Sequence, residues 1–127
     1  MGAIRPLCDD ANVPSVLVVD DHPSFRASAR ALLESEGLEV VGEAADGMSA
    51  LAEVERLRPE VVLLDIQLPD IDGFEVAARL SGDAGPRVIL VSSRDVGDFG
   101  GLVARSGFAG FIPKAELSGA AIAELIE

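Results

Sequence analysis

The sequence predicts an α/β protein whose parallel sheet is covered by helices on both faces. Three observations point there. Short aliphatic runs recur five times: SVLVVDD, LEVVGEA, EVVLLDI, RVILVSS and FAGFIPK. Each is followed by a segment of helical character, and that alternation is the signature of βα units. Aromatic residues are scarce, with five Phe and no Trp or Tyr, so the core has to rest on Val, Leu, Ile and Ala. Strands buried on both faces carry such continuous aliphatic runs rather than an alternating pattern.

Taken in order, residues 1–14 read as a flexible leader ending at Pro14, and 15–127 as one folded domain. The first strand is expected at about 16–20, stopped by acids. In the following HPSFRASARALLESEG, Pro23 marks a helix start, Gly37 its end, and Phe25, Ala29, Leu32 and Leu33 form an apolar stripe. LEVVGEA is the second strand. DGMSALAEVERLRP is a helix with Asp46 as candidate N-cap and Pro59 as terminator. EVVLLDI is the third strand, and QLPDIDGF is a loop shaped by Pro69 and Gly73. FEVAARL is a helix ended by the turn SGDAGP, and RVILVSS is the fourth strand. RDVGDFGGLVARSG is a poor helix, because Gly97, Gly100 and Gly101 each disfavour it by roughly 1 kcal/mol relative to Ala. FAGFIPK is the fifth strand and AELSGAAIAELIE the last helix.

Composition excludes several classes. The net charge is −12 and no basic stretch occurs, which argues against direct nucleic-acid binding. A single cysteine, Cys8, cannot form an internal disulfide and fits a reducing cytoplasm. The first residues carry early acids and no apolar core of a signal peptide, and no apolar run approaches the ~20 residues of a membrane span.

In open sheets of this kind ligands bind beyond the carboxyl ends of the strands. The residues at those ends are Asp20 and Asp21 after strand one, Asp65 after strand three, Ser92 and Ser93 after strand four, and Lys114 after strand five. Three crowded carboxylates repel one another, and a divalent cation removes the repulsion. Hard oxygen ligands with an open, hydrated site suit Mg2+. Such an ion also prepares Asp65 to attack an electron-poor phosphorus, with Lys114 supplying a second positive charge and Ser92 a hydrogen bond. The ten basic residues are nine arginines and one lysine. That the lysine falls at the end of strand five is poorly explained by chance, because a compact ammonium does what a planar guanidinium does not.

The segments VLVVDDHPSFR, VVLLDIQLPDIDGFE, VILVSS and GFIPKAEL, in this order and spacing, resemble the receiver domains of two-component response regulators, and the resemblance covers about residues 15–127. It implies a flavodoxin-like doubly wound (βα)5 fold with strand order 2-1-3-4-5. It implies phosphorylation of Asp65 by a histidine kinase or phosphotransfer protein. It implies Mg2+ held by Asp21 and Asp65 directly, by Asp20 largely through water, and by the backbone carbonyl of Gln67. Ser92 and Phe111 match the family's switch residues, and output is expected at the surface of the fourth helix, fifth strand and fifth helix, toward a protein target or a second copy. The glycine-weakened fourth helix is expected to be labile and to be ordered or shifted by phosphorylation. Asp20 and Asp21 could also act as a helix N-cap pair. His22, in DDHP, reads as a surface or loop residue rather than a metal ligand.

Ala115 stands after Lys114 where many receivers carry proline, which moves the resemblance toward the NarL/FixJ-type branch with a helix-turn-helix output domain. Gln67 and Arg94 occupy positions that tune dephosphorylation in the family. The chain is expected to be a single-domain regulator, not a free-standing enzyme, with the receiver part of a transcription factor as the alternative. A phosphatase of the haloacid-dehalogenase type would need an acid where His22 stands. A flavodoxin-like electron carrier would need a hydroxyl-rich loop where the acids stand, and a pseudo-receiver would lack one of the acids or the lysine.

Overall fold

The computed structural model describes residues 14–80, 85–92 and 110–126. Within them lie the strands β1 (Ser15–Val19), β2 (Glu39–Ala44), β3 (Val61–Asp65), β4 (Arg87–Ser92) and β5 (Gly110–Pro113). Helices α1 (Pro23–Ser35), α2 (Gly47–Leu57) and α3 (Gly73–Leu80) connect the first four, and a C-terminal helix spans Gly119–Ile126. All strands pair in parallel in the order 2-1-3-4-5, so the expected flavodoxin-like sheet is what the chain forms.

Alternate residues of each strand feed two cores. Val16, Val18, Val61, Leu63, Ile89, Val91 and Ile112 meet Ala29 and Leu33 of α1 and Ile122 of the C-terminal helix. Leu17, Val19, Val62, Leu64, Val88 and Leu90 meet Ala50 of α2 and Val76 and Ala77 of α3. A strand with both sides covered has no polar side to show, which is why β1 and β3 read as unbroken aliphatic runs.

Helix ends follow local chemistry. Pro23 opens α1, and Gly37 follows it at φ +91°, in the left-handed region that favours glycine. Asp46 caps α2, its side chain accepting the Ser49 N–H. The possible role of Asp20 and Asp21 as an N-cap pair is corrected: the N-cap of α1 is His22, and its side chain makes no capping hydrogen bond. The last helix also starts later than expected. Lys114–Glu116 form a 3-10 turn, and the helix begins at Gly119 because Ser118 caps it, its hydroxyl accepting the Ala121 N–H. The segment 95–106, expected to be a labile helix, and the leader before Pro14 lie outside the described residues, as do Ser93 and Arg94.

Candidate functional site

Strand order reverses between β1 and β3, so their carboxyl ends open a crevice instead of being bridged by a helix. Asp20 leaves β1 into this crevice with its backbone still paired, its N–H donating to the Ala44 carbonyl at 3.0 Å. Its side chain is fully buried. Oδ1 accepts the His22 N–H at 2.8 Å and lies 2.9 Å from His22 Nδ1. Arg26 Nη1 donates to the Asp20 carbonyl at 2.5 Å while its Nε reaches Glu43 on β2, pinning the turn after β1.

Asp65 ends β3 and is also buried. Its Oδ1 accepts the Gln67 N–H at 3.2 Å. Lys114, the first residue after β5, sends Nζ to 2.5 Å from Asp20 Oδ2 and 3.5 Å from Asp65 Oδ2. The ammonium also lies 4.5 Å from the centroid of the Phe25 ring. Asp20, Asp65 and Lys114 therefore converge from three strand ends. Asp21 and His22 complete the rim: ligand atoms of Asp20, Asp21, His22 and Asp65 all lie within 4.8 Å of one another. Ser92 is buried at the end of β4, one residue beyond the register partner of Asp65 and opposite Pro113. Phe111 pairs with Leu90 and packs half-buried on the second core.

Burial is the main cause that raises the Asp65 carboxyl above the ordinary carboxylate range, and the charge of Asp20 adds to it. The Gln67 N–H and Lys114 pull in the opposite direction without cancelling the shift. Asp20 Oδ2 is the more telling atom. Although Nζ is 2.5 Å away, no donor is aligned to hydrogen-bond it, and it is the one such buried side-chain oxygen or nitrogen among the described residues. This oxygen is ion-paired with Lys114, and it belongs to a cluster of carboxylates whose ligand atoms lie within 4.8 Å of one another, an oxygen-rich set that fits a hard divalent cation such as Mg2+. Receiver domains generally bind Mg2+ at an acidic pocket, and these carboxylates form one.

Three supporting residues escaped the sequence reading. Arg26 and Phe25 belong to α1, where Phe25 reads simply as part of the apolar stripe. Asp70, in the loop after β3, accepts the N–H groups of Gly47 and Met48 in the first turn of α2, and these bonds hold its carboxyl below the usual range. Its only sequence signal is that it is one of two acids in a turn-rich loop. Gly73 does more than shape that loop. A Cβ there would lie 2.5 Å from the Asp65 carbonyl oxygen, so only glycine lets α3 start against the backbone that carries Asp65.

A five-stranded 2-1-3-4-5 sheet with buried acids and a lysine at its carboxyl edge defines a signalling receiver fold. The model of the response regulator receiver domain family matches residues 16–126, and the chain belongs to that family. It is 41% identical over 102 residues to BvgA, a virulence-factor transcription regulator of Bordetella pertussis; the match covers 80% of this chain and 49% of BvgA. The chain thus spans about half the length of such relatives. Its fold matches the signal receiver domain of NarL from Mycobacterium tuberculosis with TM-score 0.77 and 38% identity, over 89% of this chain and 96% of that one. It also matches the BeF3-activated receiver domain of RstA from Klebsiella pneumoniae with TM-score 0.77 and 29% identity, over 87% and 94% of the two chains.

Proposed function

We propose that this chain is a phosphorylation-dependent switch, in which Asp65 takes a phosphoryl group from the phosphohistidine of a histidine kinase or a phosphotransfer protein. The observation that carries the reading is the meeting of buried Asp65 with Lys114 and Asp20 across one crevice. In the transfer an Asp65 oxygen bonds to phosphorus as the donor's phosphorus–nitrogen bond breaks, and the departing imidazole keeps the electron pair and takes up a proton. The Gln67 N–H holds Oδ1, which leaves Oδ2 facing the ammonium. Lys114 neutralises charge on the incoming group, and the Ser92 hydroxyl donates to one of its oxygens. Asp20, Asp21, Asp65 and the Gln67 backbone carbonyl are the proposed Mg2+ ligands. The bound ion supplies charge neutralisation for the phosphoryl group.

Ser92 and Phe111 are the proposed switch pair, reporting to the surface of the fourth helical segment, β5 and the C-terminal helix, where a protein target or a second copy docks. The setting is cytoplasmic. No helix among the described residues is long and apolar enough to cross a membrane. A second reading, the receiver part of a transcription regulator, is favoured by relatives such as BvgA, of which this chain matches about half.

Acetyl phosphate with Mg2+ tests the proposal. Intact-mass spectrometry should find one added phosphoryl group on the wild type and none on Asp65→Asn. Beryllofluoride should bind only when Mg2+ is present, as read by fluorine NMR. Steady turnover of phosphate esters would instead point to a phosphatase.

A further inference from the structure

We propose that Phe25 is a positioning residue for Lys114: its ring face holds the ammonium within reach of Asp65. The proposal rests on the phosphoryl-acceptor reading of Asp65. Lys114 sits on a flexible four-carbon stem, and among the described residues Nζ lies 2.5 Å from Asp20 Oδ2, 3.5 Å from Asp65 Oδ2 and 4.5 Å from the centroid of the Phe25 ring. Left to the carboxylates alone, Nζ leans toward Asp20 and away from the acceptor.

A divalent cation taken up by Asp20 and Asp65 competes for those same oxygens and repels the ammonium. Of these three groups, the ring is the one that a hard, hydrated cation does not claim, because such ions prefer oxygen to a π face. Its hold on Lys114 therefore matters most when the site is loaded for transfer. The ring is itself steady. Phe25 lies in the first turn of α1, and it packs against the core that contains Ala29 and Leu33 of the same helix. Phe25 is 89 residues from Lys114 in sequence, so α1 and the end of β5 meet through this contact.

A merely structural phenylalanine would serve as well with its ring electrons withdrawn. Mono-, tri- and pentafluorophenylalanine incorporated at position 25 keep the shape and progressively weaken the π face. The measurement is the rate constant for Asp65 labelling by acetyl phosphate at saturating Mg2+, in which the Asp65 oxygen–phosphorus bond forms and acetate leaves with its electron pair. Mg2+ affinity by calorimetry and Tm are recorded beside it. The expected result is a graded fall reaching about tenfold with the pentafluoro ring, with Mg2+ affinity and Tm unchanged. Phe25→Tyr should keep the rate and Phe25→Leu should lose it. Fluorinated variants that keep pace with wild type overturn the proposal, and so does a rate that tracks Tm rather than fluorine count. If wild type itself takes no phosphoryl group, the acceptor reading fails and this proposal falls with it.

Discussion

The two ends of the sheet treat an acid beside a strand in opposite ways. At the amino end, Glu60 precedes β3, accepts the Ser15 N–H at 3.2 Å, and receives in return the Ser15 hydroxyl as acceptor for its own N–H at 2.9 Å. At the carboxyl end, Asp65 closes the same strand and accepts the Gln67 N–H at 3.2 Å. The hydrogen bonds are comparable, and the solvent is not. Glu60 is exposed and ties two strand starts together. Asp65 is buried beside a second buried acid, so its charge is disfavoured. What separates these two acids is water, not the hydrogen bonds they accept.

The contrast can be broken from either end. Lys114→Ala removes the cation that faces both buried acids. Labelling of Asp65 by acetyl phosphate should slow about 10²- to 10³-fold, while calorimetry finds Mg2+ bound more tightly, because Asp20 is freed. Weaker Mg2+ binding would mean that the lysine organises the acids rather than competing for them. Gly73→Ala forces a Cβ into the Asp65 backbone. Urea unfolding should show a loss of roughly 1–3 kcal/mol, accompanied by weaker Mg2+ affinity.

Asp65→Asn should raise the Tm of the metal-free protein at neutral pH. The sign follows from linkage. The native Asp65 carboxyl is raised, so the folded state binds its proton more tightly than the unfolded state does. Its contribution to stability is then lost as pH rises from the unfolded carboxylate range through the raised native value. The advantage of Asn should shrink as the pH falls through that window, and an advantage that is independent of pH would refute the cause. Glu60→Gln is the smallest change: the amide oxygen still accepts from Ser15, and unfolding should shift by less than about 0.5 kcal/mol, with no effect on Mg2+ binding.

Much of this was legible in the sequence, for a physical reason. Doubly buried strands have to be aliphatic, so β1, β3 and β4 announce themselves, and acids or hydroxyls that end such runs fall on one edge. Asp46 and Gly37 were readable because caps are local chemistry. Long-range pairings were not. Nothing near Phe25 marks it as a platform for Lys114, and nothing near Asp70 says that its carboxylate caps a helix 23 residues upstream. His22 reads as a surface residue and is exposed, but nothing in the sequence says that its Nδ1 lies 2.9 Å from Asp20 Oδ1 and 3.0 Å from Asp21 Oδ1. The start of the C-terminal helix was missed although Ser118 offered a cap signal.

The loop from Gln67 to Asp72 is fastened at both ends and in the middle. Gln67 holds the Asp65 carboxylate, Asp70 grips α2, and Asp72 caps α3 by accepting the Glu75 N–H at 2.8 Å. Gly73 then seats α3 directly on the Asp65 backbone. This short strap works as a yoke: two helices hang from one bearing, and the bearing is the residue that would change charge. A displacement of the Asp65 backbone would therefore be felt by both α2 and α3, through Asp70, Asp72 and Gly73.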